Sequence, residues 1–329
     1  MTTGLRLSLA IPVHNEEEVL PELLRRVAAV LDQVPGGPHE IVFVDDGSTD
    51  RSLAILEEAA QRDPRIVVLS FSRNFGHQAA ISAAVDHVSG DAVVIMDSDL
   101  QDTPESVPVL LEKYFQGYDV VFAQRVNRKE SWWLRACYFA FYRLVRALSD
   151  IALPLDSGDF GLMSRRVIDR IRSLPEHHRY MRGLRTWVGY RQTGVPITRM
   201  ERHSGHTKYT PLKLLKLASD GIFAFSTVPL RAATVIGMCG IASALLYAIY
   251  SLFAKYLLGQ SPPGFTALTI LVTMLSGFIL FFLGIIGEYV GRIYEEVKAR
   301  PNYIVGRVIR SERTPSAADG SAPFSTRSG

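Results

Sequence analysis

The sequence predicts an α/β fold with a mostly parallel sheet, followed by two transmembrane helices. Three features support this prediction. Short apolar runs alternate with segments of helical periodicity from Leu5 to Ala123, polar residues follow four of those runs, and two long uncharged stretches lie in the C-terminal third. Alternation of strands and helices is typical of a parallel sheet that is covered by helices on both faces.

The predicted elements follow one another in a regular order. In the first predicted helix, Val19, Leu23 and Val27 recur at the spacing that places apolar side chains on one helix face. The predicted strands are Leu5–Val13, Glu40–Val44, Ile66–Phe71, Ala92–Met96 and Asp119–Ala123, and the predicted helices are Glu17–Leu31, Asp50–Ala60 and Gln78–Val88. The order of these elements predicts strands that run mostly parallel.

Polar clusters follow four of the predicted strands. The carboxyl ends of parallel strands meet at one edge of a sheet, where ligands of open α/β folds bind. One such cluster alone is often a helix cap, but four clusters at the same position after their strands favour a shared ligand site. The clusters are Asn15 and Glu16, Asp45 and Asp46, Arg73 and Asn74, and Asp97 and Asp99.

The fourth cluster has the composition of a metal site. Asp97 and Asp99 follow a buried strand directly, and Gln101 comes two residues later. Such hard oxygen ligands suit Mg²⁺ or Mn²⁺ shared with a diphosphate. An Asp-rich turn that caps a helix starting at Asp102 to Pro104 would give the same residues without a metal. The motif alone leaves both interpretations open.

Composition and missing motifs exclude several classes of protein. The formal net charge of +3 is too small to indicate a nucleic-acid-binding protein. Cys137 and Cys239 are far apart and fit neither a disulfide framework nor a zinc site. The first strand lacks a following GxGxxG, and no GxxxxGK[ST] occurs, which disfavours dinucleotide-binding and phosphate-loop proteins. The N-terminus lacks the pattern of a signal peptide, so we expect the first domain to be cytoplasmic.

Four motifs together resemble a known family. The motifs are IPVHNEE at Ile11–Glu17, VDDGSTD at Val44–Asp50, RNFGHQAA at Arg73–Ala80 and DSDLQD at Asp97–Asp102. In this order they resemble the family 2 glycosyltransferases of GT-A fold. Within that family, the resemblance is to the polyisoprenyl-phosphate glycosyltransferases, such as dolichyl-phosphate mannose synthase and bacterial undecaprenyl-phosphate glucosyltransferases. The resemblance covers residues 5–290.

The resemblance implies roles for individual residues. It implies that a nucleotide sugar is bound by Pro12, Asn15, Glu16, Asp46 and Asp97, and that Mg²⁺ or Mn²⁺ is bound by Asp97, Asp99 and Gln101. A divalent cation would stabilise the diphosphate leaving group as its bond to the sugar breaks. Asp99 is therefore expected to be catalytic.

Asp159 is the second residue that the resemblance marks as catalytic. It lies in the segment Ser157–Asp169, which resembles the family's GDF-containing segment near the acceptor. The carboxylate could act as a general base, hold an arginine or the sugar hydroxyls, or cap the next helix. A base is not required, because a phosphate monoester acceptor already carries the charge needed for attack near neutral pH.

Basic residues are expected to neutralise the acceptor phosphate. We predict this role for Arg125 and Arg128, and for Arg202 and Lys208, which lie in a segment that resembles the family's R-x-x-G-x-(S/T)-K-Y motif. The segment Tyr180–Tyr190 would supply Arg182 and Arg185 as further cations. The alternative is an ordinary solvated basic surface.

The remaining segments are expected to associate with a membrane. Ala232–Ala254 and Phe265–Ile286 are uncharged and long enough to span the hydrocarbon core. Pro211–Leu230 has the composition of an interfacial amphipathic segment, and Gln124–Leu155 either lies in the interface or packs on its own domain. Basic residues beyond the second stretch, such as Arg292, place both termini in the cytoplasm by the positive-inside rule.

These features predict four regions: a cytoplasmic GT-A domain (1–210), an interfacial segment (211–230), a transmembrane hairpin (231–290) and a basic cytoplasmic tail with a disordered end (291–329). The expected protein is a multi-pass enzyme of the inner (cytoplasmic) membrane. Its expected partners are a nucleotide sugar, a polyprenyl phosphate and the membrane, without nucleic acid, and homo-oligomerisation is left open.

The expected reaction is inverting transfer of a sugar, from UDP-glucose or a related UDP-sugar, to a polyprenyl phosphate. Two alternatives stay open. A processive polysaccharide synthase would need more membrane helices and a QxxRW motif, whereas Arg182–Trp187 reads RGLRTW. A catalytically inactive membrane scaffold would not need the acidic residues Asp97, Asp99 and Asp159.

Overall fold

The computed structural model describes residues 4–125, 157–176, 179–197, 228–257 and 264–311. These residues form two compact units, each of which is described by itself. The sheet unit contains the described residues up to 197 and those from 301 onward, and the helical unit contains those from 228 to 300.

Eight strands and six α-helices make up the described sheet unit. The strands are β1 (Leu7–Val13), β2 (Glu40–Asp45), β3 (Ile66–Phe71), β4 (Ala92–Ile95), β5 (Val120–Arg125), β6 (Ser157–Ser164), β7 (Gln192–Ile197) and β8 (Val305–Arg310). The helices are α1 (Leu20–Leu31), α2 (Ser52–Arg62), α3 (His77–His87), α4 (Val107–Phe115), α5 (Arg165–Arg172) and α6 (Met181–Trp187), with a 3-10 turn at Pro104–Ser106.

The strands form one mostly parallel sheet in the order β7-β5-β6-β4-β1-β2-β3-β8. Strands β4, β1, β2 and β3 are parallel to their neighbours in this series, and β5 is parallel to β7. Strand β6 lies antiparallel between β4 and β5, and β8 lies antiparallel to β3. All five strands and all three helices predicted from the sequence are present, so the prediction of a mostly parallel α/β sheet is confirmed.

Helices cover the sheet on both faces. Along β1, Leu9 and Ile11 face the apolar layer beneath α1, α2 and α4, whereas Ala10 between them faces the layer beneath α3, α5 and α6. This period of two is the pattern of a strand that is buried on both sides. Because helices block both faces, we expect a ligand to bind at the carboxyl edge of the sheet instead. The loops after β1, β2, β3 and β4 lie at this edge.

Strand β6 was not predicted from the sequence. It carries Asp159 to the carboxyl edge of β4 by running antiparallel between β4 and β5. Gly161 makes this close pairing possible, because a Cβ atom at this position would lie 2.7 Å from the carbonyl oxygen of Val121. The run SGDFGLMS contains two glycines and an aspartate, so its strand pattern is too weak to be distinguished from a loop by its sequence.

The last described strand changes the boundary expected for the C-terminal tail. The sequence predicts a basic tail over 291–329, whereas residues 305–310 form β8 and complete the sheet beside β3. Arg307 and Arg310 are part of this strand, and Arg307 forms an ion pair of 3.0 Å with Glu57. An edge strand exposed on its outer side tolerates such charges, which explains why its sequence resembles a solvated tail.

Two long apolar helices form the described part of the helical unit. They are α7 (Val228–Leu257) and α8 (Gly264–Lys298). Each contains a window long and apolar enough to cross a membrane, Ala233–Tyr250 and Met274–Lys298, and neither window is buried within the protein. The 35 residues of α8 correspond to a length of about 50 Å, which exceeds the ~30 Å of a bilayer core. The prediction of two apolar C-terminal helices is confirmed.

Several predicted residues lie outside the described part of the chain. These are Arg128, Arg202 and Lys208, and for Arg125 only the backbone is described. Most of the two predicted amphipathic segments, and the predicted disordered end from residue 314, also lie outside it.

The role of β8 can be tested by truncation. A chain that ends at Ile304 lacks β8 and leaves the backbone groups of β3 unpaired at the edge, whereas a chain that ends at Ser311 keeps the strand. We expect the shorter chain to unfold at a temperature several degrees lower, because it loses a ladder of backbone hydrogen bonds and the packing of Ile309. Thermal unfolding of both chains in detergent measures this difference, and equal midpoints would show that β8 contributes no stability.

Candidate active site

The loops after β1 and β2 are joined side by side at the carboxyl edge of the sheet. Asn15 has a left-handed backbone conformation (φ 54°), and its Oδ1 atom accepts a hydrogen bond of 2.8 Å from the backbone N–H of Thr49. The Asn15 N–H donates to Ser48 Oγ at 3.0 Å, and the Glu16 N–H donates to Ser52 Oγ at 2.8 Å. Asn15 and Glu16 therefore belong to one rigid surface, and Pro12 lies buried in β1 beneath it.

Asp46 fastens the loop after β2 to the start of α3. Its carboxylate is buried and accepts hydrogen bonds from the backbone N–H of Phe75 at 2.7 Å and from that of Gly76 at 2.9 Å. Gly47 allows this approach, because it has φ 62° and a Cβ atom there would lie 2.6 Å from the backbone nitrogen of Asn74. The structure thus brings three of the predicted strand-end clusters together.

Asp97 and Asp99 lie just beyond the end of β4, in surroundings that favour a cation. Burial raises the pKa of Asp97; the nearby His77 opposes this shift, while the charges of Asp159, Asp99 and Asp102 add to it. Asp99 Oδ1 accepts a hydrogen bond of 3.1 Å from the backbone N–H of Gln101. Crowded carboxylates of this kind are stabilised when a divalent cation joins them.

The donor set at this position fits Mg²⁺ or Mn²⁺. Within the described residues, no group of three or more His, Cys, Asp or Glu side chains is arranged to hold a metal ion. Mg²⁺ is commonly held by one or two carboxylates together with substrate phosphates and water, and a pair such as Asp97 and Asp99 is compatible with that mode of binding. Gln101 is close enough in sequence to contribute a further oxygen.

His77, which was not singled out from the sequence, lies between Asp97 and Asp159. Its Nε2 atom is 3.5 Å from Asp97 Oδ1 and 3.6 Å from Asp159 Oδ2. Burial lowers the pKa of His77, but the contact with Asp159 and the charges of both aspartates outweigh burial and raise it overall. The residue stands within the motif Arg73–Ala80, but only the fold shows that this turn of α3 faces β4 and β6.

Asp159 is held as a charged carboxylate. The Arg182 guanidinium donates from Nε to Oδ1 at 2.8 Å and from Nη2 to Oδ2 at 3.0 Å, and Gln78 Nε2 donates to Oδ2 at 3.4 Å. Burial would raise the pKa of Asp159, but the contact with His77 and the hydrogen bonds from Arg182 hold it well below its usual range. A carboxylate in this state is a weak proton acceptor, so the geometry favours the alternative in which Asp159 holds an arginine.

Arg185 is a second buried guanidinium on α6, one helical turn from Arg182. It is 3% exposed and lies over the ring of Phe122, with 5.3 Å between the guanidinium carbon and the ring centroid. Its Nε and Nη2 atoms make no hydrogen bond within the described part of the chain. Burial lowers the pKa of Arg185 to about 10. A buried cation with unsatisfied donors is costly, and an anion beside it would relieve that cost.

A mostly parallel sheet with acidic residues beyond β4, and with a buried carboxylate on an inserted antiparallel strand, is the arrangement expected for a GT-A fold. The comparison with protein families agrees, because the model of "Glycosyl transferase family 2" matches residues 8–172. The chain belongs to glycosyltransferase family 2, and it is a glycosyltransferase.

Curated relatives match along almost the whole chain. The glycosyltransferase YkcC of Bacillus subtilis is 44% identical over 93% of this chain and 94% of its own length. The prophage bactoprenol glucosyl transferase homolog of Escherichia coli is 39% identical over 92% of this chain and 99% of its own. The undecaprenyl-phosphate 4-deoxy-4-formamido-L-arabinose transferase of Edwardsiella ictaluri is 36% identical over 93% and 95%. These matches confirm the resemblance noted from the four motifs.

The chain also matches a solved structure at low similarity. The mannosyltransferase PcManGT of Pyrobaculum calidifontis, in complex with GDP-mannose and Mn²⁺, is 18% identical and covers 86% of this chain and 88% of its own, with a TM-score of 0.46. A similarity this low does not bear on the ligands of the present chain.

The cost of burying Arg185 can be measured directly. We expect Arg185→Met to raise the free energy of unfolding by roughly 1–3 kcal/mol, because it removes a desolvated charge and keeps the apolar contact with Phe122. A suitable control is Arg179→Met, which breaks the 2.8 Å ion pair with Asp86 and should destabilise the protein. Thermal unfolding of the full chain distinguishes the two variants, and a loss of stability in Arg185→Met would show that the guanidinium is satisfied where it lies.

Proposed function

We propose that this glycosyltransferase transfers a sugar from a nucleotide sugar, UDP-glucose or a related UDP-sugar, to a polyprenyl phosphate, with inversion at the anomeric carbon. One observation carries the proposal. Asp97, His77, Asp159 and Arg182 form a continuous series of contacts across the carboxyl edge of the sheet. The series has the Asp97 carboxylate at one end and the Arg182 guanidinium at the other, which suits a donor with a metal-bound diphosphate and an anionic acceptor.

The donor would bind at the acidic end. The surface built by Asn15, Glu16 and Asp46 lies beside the loop after β3 and is suited to the nucleoside. Asp97, Asp99 and Gln101 would hold Mg²⁺ or Mn²⁺. When bound, the ion would neutralise the diphosphate as it leaves with the electron pair of its bond to the sugar.

The acceptor would bind at the basic end. Arg182 is fixed by Asp159. On the same helix, Arg185 has two donors, Nε and Nη2, that make no hydrogen bond within the residues that the structure describes. Arg125, Arg128, Arg202 and Lys208 are proposed to add further positive charge. The phosphate monoester oxygen would attack the anomeric carbon in line with the departing diphosphate, which forms one C–O bond as another breaks and inverts the configuration. Because this oxygen is already ionised near neutral pH, the role we assign to Asp159 is to position Arg182.

A membrane-bound acceptor would explain why the chain contains two long apolar helices. Two relatives have names that refer to bactoprenol and undecaprenyl phosphate, which are lipid carriers. We propose that α7 and α8 span the inner membrane and that both termini and the sheet unit are cytoplasmic, as the basic residues after α8 suggest. Anchoring the catalytic domain raises the effective concentration of an acceptor that stays in the bilayer.

The reaction can be tested with the full chain in detergent. We expect labelled UDP-glucose, or another UDP-sugar in a donor panel, to give a labelled lipid with undecaprenyl phosphate and Mn²⁺ or Mg²⁺. The chelator EDTA should abolish transfer, and added metal should restore it. Asp99→Asn should lower the rate on the order of 100-fold or more, because the leaving diphosphate loses charge stabilisation. Asp169→Asn, which changes a half-exposed acid on α5, is the matched control.

Two results would contradict this proposal. If no donor in the panel gives a labelled lipid, the alternative of a catalytically inactive scaffold would be favoured. A polymer longer than one sugar would favour the processive synthase.

Kinetics of variants can distinguish two roles for Asp159, positioning Arg182 and acting as a general base. If Asp159 acts by positioning Arg182, Asp159→Asn and Arg182→Gln should each lower kcat/KM by a similar factor, and the double variant should lose little more. Neither variant should shift the pH profile of transfer. If Asp159 acts as a general base, Asp159→Asn should lower kcat/KM far more than Arg182→Gln does. It should also remove the acid limb of the pH profile.

A further inference from the structure

The segment Pro301–Ile304 connects helix α8 to strand β8, and we call it the return segment. It lies against the loop Ser72–Gly76, which follows β3 and which we call the donor loop. The backbone N–H of Ser72 donates to the carbonyl oxygen of Ile304 at 3.0 Å. The Tyr303 ring stacks on Phe71, with 5.2 Å between ring centroids and 12° between the planes. The return segment is therefore packed directly against the base of the donor loop.

Tyr303 is also fixed at its hydroxyl end. The hydroxyl donates to Asp86 Oδ2 on α3 at 2.9 Å, and Arg179 Nη1 donates to Asp86 Oδ1 at 2.8 Å. Burial and the Asp86 carboxylate raise the pKa of Tyr303, so the phenol stays protonated and remains a donor. The ring is thus held between α3 and Phe71, beside a cleft of about 600 Å³ that Arg179 and Tyr303 help to line.

From Tyr303, contacts lead through the donor loop to Asp46. Phe71 makes an edge contact with Phe75 at 5.6 Å between centroids, and the Arg73 guanidinium lies 4.2 Å from the Phe75 ring centroid. The backbone N–H of Phe75 donates to Asp46 at 2.7 Å. Aromatic pairs of this geometry are favourable beyond their buried area, so the ring positions restrict the donor loop.

We infer that Tyr303 is a positioning residue for nucleotide binding. Its ring holds Phe71 and Phe75, and these fix the backbone donors that orient Asp46. This inference rests on the proposed function, because it takes the surface around Asp46 and the donor loop as the nucleoside site. It adds a residue that follows the apolar helices in the chain and lies outside all four motifs.

Three variants of the full chain test the inference. Tyr303→Leu removes the stacked ring and the hydrogen bond to Asp86, whereas Tyr303→Phe keeps the ring. Ile309→Ala is the matched control, because Ile309 also packs on the sheet from the C-terminal segment but contacts the opposite apolar layer. Two quantities are measured in detergent: amide hydrogen exchange of the peptide 72–76, and the Kd of UDP in the presence of Mn²⁺.

We expect Tyr303→Leu to speed exchange in the donor loop and to weaken UDP binding roughly three- to tenfold, the factor for the loss of one aromatic pair. Tyr303→Phe should bind UDP within about twofold of the parent chain. Ile309→Ala should leave both quantities unchanged even if it lowers the unfolding temperature as much as Tyr303→Leu does.

Unchanged exchange and Kd in Tyr303→Leu would overturn the inference. Equal changes in Tyr303→Leu and Ile309→Ala would also overturn it, since Tyr303 would then contribute only general stability. If the parent chain binds no UDP, the donor proposal fails, and exchange in the donor loop still decides whether Tyr303 holds that loop.

Discussion

The bidentate ion pair between Asp159 and Arg182 is the interaction on which the arrangement of the site depends. Burying two charges is unfavourable unless their hydrogen-bonding groups are satisfied. Here Gln78 donates to the same carboxylate, and His77 lies beside it. The pair joins β6 to α6, and His77 extends the contact to Asp97 at the end of β4. Elements that are distant in sequence are in this way held around one point.

The same region concentrates charges of both signs. Acidic side chains crowd around Asp97, whereas Arg185 lies buried with unsatisfied donors in the described chain. A protein built only for stability would avoid both features, because each disfavours the folded state. Acidic side chains near Asp97 and arginines on α6 together suit the proposed reaction, in which a metal-bound diphosphate leaves and an anionic acceptor attacks.

The parts of the fold with strong local patterns could be predicted from the sequence. Apolar strands followed by acids, and helices with one apolar face, identify β1 to β5 and α1 to α3 as well as the strand-end acids Asp46, Asp97 and Asp99. Strands β6 and β8 could not be predicted, since one contains two glycines and an aspartate and the other is an exposed edge with two arginines. His77 and Tyr303 were missed because their contacts, to Asp159 and Asp86, join residues far apart in the chain.

The position of β8 at one border of the sheet has a consequence for how the chain is made. The strand comes after both apolar helices in the sequence, so the ribosome makes it only after both helices have been synthesised. Until then β3 presents an unpaired border, which is a template for pairing with other chains. A nascent polypeptide stalled within α8 would hold nearly every acid and arginine of the site, yet its sheet would remain unfinished and prone to aggregate.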